Sequence, residues 1–166
     1  MNRLTIYPIF GLLTVLLLLA GCADPTNPFF RAPDFSSVPP LADTTSIEPV
    51  IHDGYLYYVI EEGEGEFSLQ DRPEEQLEMF LTLRTADGEV LQSTWADERD
   101  RPEGASMDDL SEPDGLREGV IGMKEKEHRV IVVYPSMGFQ NVRQNSQFYT
   151  FRNDTLIYEI EVESIR

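Results

Sequence analysis

Cysteine is almost missing from this chain. Cys22 is the only one in 166 residues, so no internal disulfide can form. Histidine is nearly as scarce: His52 and His128 lie in separate segments with no ligand spacing around them, which argues against a metal centre. Lysine occurs only at positions 124 and 126, and 13 basic residues face 30 acidic ones, a net charge of −17. Such a polyanion repels nucleic acid and anionic lipid, and no basic cluster offsets it. Long apolar runs are also lacking. The longest, Ile9 to Ala20, is interrupted only by Gly11 and Thr14 and falls short of the ~20 residues that span a bilayer. The glycine-rich stretch Gly63 to Phe67 has no strand–glycine–helix context, so it is not a phosphate loop. Asp97, Glu98 and Asp100, mixed with Arg99 and Arg101, read as a solvated loop.

What the chain does have begins at its N-terminus. Arg3 is the only charge before Asp24, and the short apolar run that follows matches the central region of a secretory signal peptide. The run ends in Leu19-Ala20-Gly21-Cys22, which resembles the lipobox of bacterial lipoproteins. That resemblance implies a signal peptide over 1–21, lipidation of Cys22, and a membrane anchor on the periplasmic side. Ala23 stands where an aspartate would favour inner-membrane retention, so the outer membrane is the expected destination. Removal of the signal takes Arg3 away and leaves 12 basic against 30 acidic residues, a net charge of −18. Acid-rich, lysine-poor composition is similar to that of proteins from salt-rich surroundings; an ordinary acidic periplasmic protein is the other reading.

From Ala23 to Val50 six of the eleven prolines accumulate without any periodic apolar pattern. Residues 22–50 therefore read as a lipidated, proline-rich tether, whose last 28 residues reach at most ~90–100 Å. Phe29, Phe30 and Phe35 are unusual in a tether and are expected to dock on the domain or the bilayer, or else to bind a partner.

Residues 51–166 suffice for one small core, and strand signals dominate them. Leu77, Met79, Leu81 and Leu83 alternate with Glu78, Phe80, Thr82 and Arg84, the pattern of a half-buried strand. Asp87-Gly88 supplies a tight turn, and residues 89–93 return. His128 to Tyr134 reads as a buried strand with His128 at the surface. In the last segment Leu156, Tyr158, Ile160 and Val162 share one face, and Glu159, Glu161 and Glu163 the other, solvated one. Helical spacing occurs once: Leu116, Val120 and Met123 fall at i, i+4 and i+7. Ser111 with Asp114 nears a capping box, and Pro113 is tolerated in a first turn. Gly115, Gly119 and Gly122 each cost roughly 1 kcal/mol against alanine in a helix interior. So weak a helix makes sense as an apolar plug for a sheet, held by burial and brought close by its glycines.

That order of elements, with these motifs in it, resembles the FKBP-type peptidyl-prolyl isomerases from about Gly54 to Ile165. Residues 54–66 are similar to the family's first strand with its Gly-x-Gly exit, and residues 86–94 to its Asp-Gly turn and following strand. Residues 115–139 are similar to its helix, Met-Lys turn and next strand, and residues 153–165 to its closing strand. The resemblance implies an α+β, FKBP-like fold: an antiparallel sheet of four to six strands wrapped around one short helix. It implies a prolyl isomerase that uses no cofactor and no metal, acts on proline-containing client polypeptides as a monomeric folding helper, and binds no nucleic acid.

Carried over by position, the pocket walls are Leu81, Leu91, Leu116, Phe139 and Tyr158. The first three stand where the family has tyrosine, phenylalanine and tryptophan. Tyr158 matches a phenylalanine, and Gln92 replaces an aspartate beside the pocket. Phe139 replaces a tyrosine whose hydroxyl donates to the bound peptide, and Pro113 matches a position whose backbone N–H donates, which proline cannot do. A one-residue shift before Gly115 would restore that N–H. The first expectation is thus a slow or selective isomerase. The second is a module that binds peptides without turning them over, with Phe148, Tyr149 and Phe151 of the 140–154 loop as client contacts. Self-packing of those aromatics is the other reading, and Trp95 raises the same choice between pocket wall and loop. A third expectation is an envelope lipoprotein whose fold is only a spacer.

Overall fold

The alternation from Leu77 onward does form a strand, and it lies near the middle of everything else. The computed structural model describes residues 32–110 and 113–166. Its strands are β1 (Val50–His52), β2 (Tyr55–Glu61), β3 (Glu64–Ser68), β4 (Gln76–Thr85), β5 (Val90–Ser93), β6 (Glu103–Ser106), β7 (Lys124–Glu125), β8 (His128–Val133) and β9 (Leu156–Ile165). The main sheet runs β1-β2-β8-β9-β4-β5, with β6 also on β4, and β3 pairs with β7 in a small second sheet. Every pairing is antiparallel, and the main sheet ends on β1 and β5, so it curls without closing into a barrel. Seven strands exceed the expected four to six because the short β1 and β6 carry no periodicity long enough to register as strands.

Helix α1 (Asp114–Val120) is the α-helix among the described residues and packs into the concave side of this sheet. Pro113 occupies its N-cap position without a side-chain cap, and the Pro113 carbonyl accepts the N–H groups of Leu116 (2.9 Å) and Arg117 (3.3 Å). Ser111, the expected cap, lies outside the described residues. A Cβ at Gly115 would stand 2.5 Å from Val133 Cγ1, and one at Gly119 2.6 Å from Ile131 Cγ2. The glycines are therefore what lets helix and sheet approach. Leu116, Val120 and Met123 join Ile131, Val133, Leu156 and Ile160 in the apolar core.

The signal segment, Cys22, Phe29 and Phe30 lie outside the described residues. From Asp34 onward the stretch read as tether is bonded to the domain. The Asp34 N–H donates to Asp97 Oδ1 (3.0 Å), and the Asp97 N–H returns to the Asp34 carbonyl (2.8 Å). Ser37 Oγ donates to the Trp95 carbonyl (2.6 Å), Arg84 Nη2 to the Pro39 carbonyl (2.5 Å), and the Ala42 N–H to Glu159 (3.1 Å). Val50, Ile51 and His52 then pair with β2. This strap explains two departures from the expected alternation. Thr82 and Arg84, on the outer face of β4, are buried. Glu159 is likewise covered, and His128 is half-buried against it, its Nε2 3.2 Å from Glu159 Oε1. Proline-rich composition excludes regular structure but not docking; the outer face of β4 and β9 decides that.

Candidate functional site

On the inner face, cross-strand pairing brings together what the sequence scatters. Leu83 pairs with Tyr158 and Leu81 with Ile160 across β4 and β9, and alternation turns Met79, Leu81, Leu83 and Tyr158 to the same side. With Leu116 from α1 and Phe139 from the loop after β8, they line a cavity of about 210 Å³. That volume is below the roughly 300–1,000 Å³ typical of sites for drug-sized ligands and suits a guest the size of one or two side chains. Phe148 lies in the wall too, stacked on Phe139 with ring centroids 4.6 Å apart. Leu110, Gly104 and Ala105 line it as well, the last two on β6 beside β4.

Of the residues expected at the pocket, Leu81, Gln92, Leu116, Phe139, Tyr158 and Phe148 line the cavity. Leu91 does not. The β4–β5 register passes from Leu83–Gln92 to Arg84–Val90, leaving Leu91 as the extra residue of a bulge. Gln92, opposite Leu83, takes the cavity-facing place, and Leu91 is half-buried at the core's edge. Trp95 lies on the strap side, stacked on Phe80 at 4.3 Å, where Pro39 borders the pair. Tyr149 carries the Arg152 guanidinium over its ring at 4.4 Å. Phe151 packs against the core and borders a separate surface hollow by Asn153 and Asp154. Met79 and Leu83 were missing from the expected wall although the period of β4 places them beside Leu81. Residues 103–110 carry no periodic signal at all.

The polar side of the site is small. Thr94 is consumed by the end of the β4–β5 ladder: its N–H donates to the Leu81 carbonyl (2.9 Å), and its hydroxyl accepts from the Leu81 N–H (3.1 Å). Glu103 and Asp109 are the charged residues of the wall among the described residues. The Ser106 backbone N–H, and then its hydroxyl, hold the Asp109 carboxyl below the usual carboxylate range, so it stays ionised. Glu103 meets Arg99 at 3.4 Å. Tyr158 is 2 % exposed; burial pushes its phenol well above the usual range, and its hydroxyl has no hydrogen-bond partner among the described residues. Pro113 is buried at the start of α1, apart from the cavity wall, and supplies no N–H. Among the described residues the site holds no nucleophile–base pair. It can seat an apolar side chain out of water and offer a few polar groups to the backbone around it.

The sequence profile of the FKBP-type peptidyl-prolyl cis-trans isomerase family matches residues 70–163. No curated protein matches by sequence. Among solved structures, FkpA from Escherichia coli superposes with a TM-score of 0.57 at 18% identity, covering 74% of this chain and 54% of that one. The three FKBP domains of wheat FKBP73 give 0.55 at 22% identity, covering 72% and 49%. The N-terminal domain of FKBP42 from Arabidopsis thaliana gives 0.58 at 21% identity, covering 78% and 98%. The chain thus spans about half the length of the first two, and at these identities the likeness shows the fold.

Proposed function

Because the chain belongs to the family of FKBP-type peptidyl-prolyl cis-trans isomerases, we propose that it is a prolyl isomerase of the cell envelope. In this reading Cys22 carries the lipid that holds it to the periplasmic side of the outer membrane, and it helps proline-containing clients to fold. One observation carries the proposal: Leu81, Leu116, Phe139 and Tyr158 converge on one open, mainly apolar cavity. An X–Pro bond rotates slowly because amide resonance must be broken, a barrier of ~18–20 kcal/mol. With the prolyl ring seated among these side chains, the amide loses the water that favours its planar, charge-separated form. The twisted state loses less, and so is favoured relative to the ground state. Each tenfold gain needs only about 1.4 kcal/mol, which apolar walls supply without a covalent step.

Turnover of Xaa-Pro peptides in a protease-coupled assay tests the proposal. Rates above the uncatalysed reaction support it, and equality with that reaction overturns it. The lipid anchor has its own check: Cys22→Ser should move the protein from the membrane to the soluble fraction.

A second reading, a module that binds proline peptides without catalysis, is favoured by the missing hydroxyl at Phe139 and the missing N–H at Pro113. Two neutral hydrogen bonds at roughly 0.5–1.5 kcal/mol each cost together about one to two orders of magnitude if both act only in the transition state. Peptide binding by calorimetry with no acceleration in the coupled assay would select this reading.

A further inference from the structure

Position 139 has no hydroxyl to offer, yet the cavity is not without one. Tyr158 stands on β9 in the same wall, and its ring is shared with the core through Leu83 and Ile131 on either side. Its oxygen is enclosed and meets no partner among the described residues. For packing alone a phenylalanine would serve, and the hydroxyl would be better omitted, because a buried hydroxyl without a partner is unfavourable. Such groups are few in native folds and call for an explanation. Neighbouring polar groups do not provide one, since the Thr94 hydroxyl is already committed to Leu81.

We infer that Tyr158 donates its hydroxyl to a backbone carbonyl of the proline-containing peptide bound in this cavity, supplying from β9 the bond that Phe139 cannot. The inference rests on the peptide-binding reading above and names the residue that orients the peptide. The other donor in the wall, the Gln92 amide, is exposed, so it must give up water to bind a carbonyl. The Tyr158 hydroxyl has no bond to give up, so the same contact contributes more there. In the empty fold the oxygen is closed off from solvent, and a peptide seated on the ring displaces what covers it.

The test is Tyr158→Phe in the whole protein, read by kcat/KM on an Xaa-Pro peptide, by calorimetric Kd for the same peptide, and by thermal midpoint. The variant should lose about tenfold in kcat/KM, or in affinity if the wild type binds without turnover. Its thermal midpoint should hold or rise, because an unpaired buried hydroxyl has gone. Adding Phe139→Tyr to that variant should recover most of the loss, since it returns a hydroxyl to the same cavity. Unchanged kinetics and affinity in Tyr158→Phe overturn the inference while leaving the function intact. A lowered thermal midpoint makes the hydroxyl structural and also overturns it. A wild-type protein that neither binds nor isomerises the peptide overturns the function itself, and the role of Tyr158 with it.

Discussion

A methyl group added at Gly119 would have to share space with Ile131, whose Cγ2 lies 2.6 Å from the new carbon and whose side chain is fully buried. Two effects of opposite sign meet there. Helix propensity favours alanine over glycine by roughly 1 kcal/mol. Overpacking a filled core typically costs about 1–3 kcal/mol. Ile131 is pinned between Tyr57 on β2 and Tyr158 on β9 and cannot retreat, so packing wins. Gly119→Ala should therefore lower the midpoint of urea unfolding, and a raised midpoint would show that the helix–sheet distance is not what selects glycine. At this scale the sequence was legible where periodicity and residue size speak together, as they do for Leu116, Val120 and the glycines Gly115 and Gly119. Leu91 was not, because a single-residue bulge reverses which neighbour faces the cavity, and nothing in Val90-Leu91-Gln92 announces a bulge. Tyr158 was placed by its alternation; its unpaired hydroxyl emerged only from its surroundings.

Seven residues are too few for α1 to stand alone, since isolated helices below ~12–15 residues are marginal in water. Arg129 on β8 secures its end. Nη1 donates to the Gly119 carbonyl (2.9 Å) and the Ile121 carbonyl (3.3 Å), while Nε donates to Glu127 (2.5 Å). Both side chains of the pair are buried, and the guanidinium also lies over the Tyr57 ring at 4.3 Å. Arg129→Met leaves Glu127 as an uncompensated buried charge and frees two helix-terminal carbonyls, so the loss should be about 3–5 kcal/mol by chemical denaturation. Adding Glu127→Gln should recover part of it; a single-variant loss below about 1 kcal/mol would place the helix's support elsewhere.

The strap is the element the sequence hid. Composition told of a proline-rich stretch without periodicity, but its docking depends on Phe80, Arg84 and Glu159, which lie far along the chain. It brings a pH dependence. Glu159 accepts from both Ala42 and His128. Burial alone pulls the His128 imidazole down, but the Glu159 hydrogen bond and the charges of Glu161, Glu159 and Glu61 outweigh it and hold the ring above its ordinary value of 6.5. A raised value means that the folded state binds the proton more tightly than the unfolded chain. The contribution is complete below about pH 6.5 and is lost as the pH climbs through the higher folded value. Thermal midpoints should therefore fall between pH 6 and pH 8.5, and His128→Gln should flatten that slope. A slope unchanged in the variant would assign the dependence to other groups.

Taken whole, the molecule is a polyanion with a net charge of −17, and among the described residues the wall of the candidate site carries Glu103 and Asp109 and no basic residue. Charge of one sign around a partly enclosed site focuses the field at its mouth and raises the local concentration of oppositely charged substrates. Clients with lysine or arginine near the proline should thus be captured faster than clients with glutamate there. The effect belongs to encounter, so it should appear in kcat/KM and be screened by salt, with a Debye length near ~8 Å at physiological ionic strength and ~3 Å at 1 M. Paired peptides differing only in Lys or Glu two residues from the proline should differ by about 3- to 10-fold in kcat/KM at low salt and converge near 1 M. Removing one wall charge with Glu103→Gln should narrow the low-salt gap without closing it, because Arg99 already offsets part of Glu103 and Asp109 remains ionised. Equal kcat/KM for the two peptides at low salt would mean that the acidic surface serves hydration alone and selects no client.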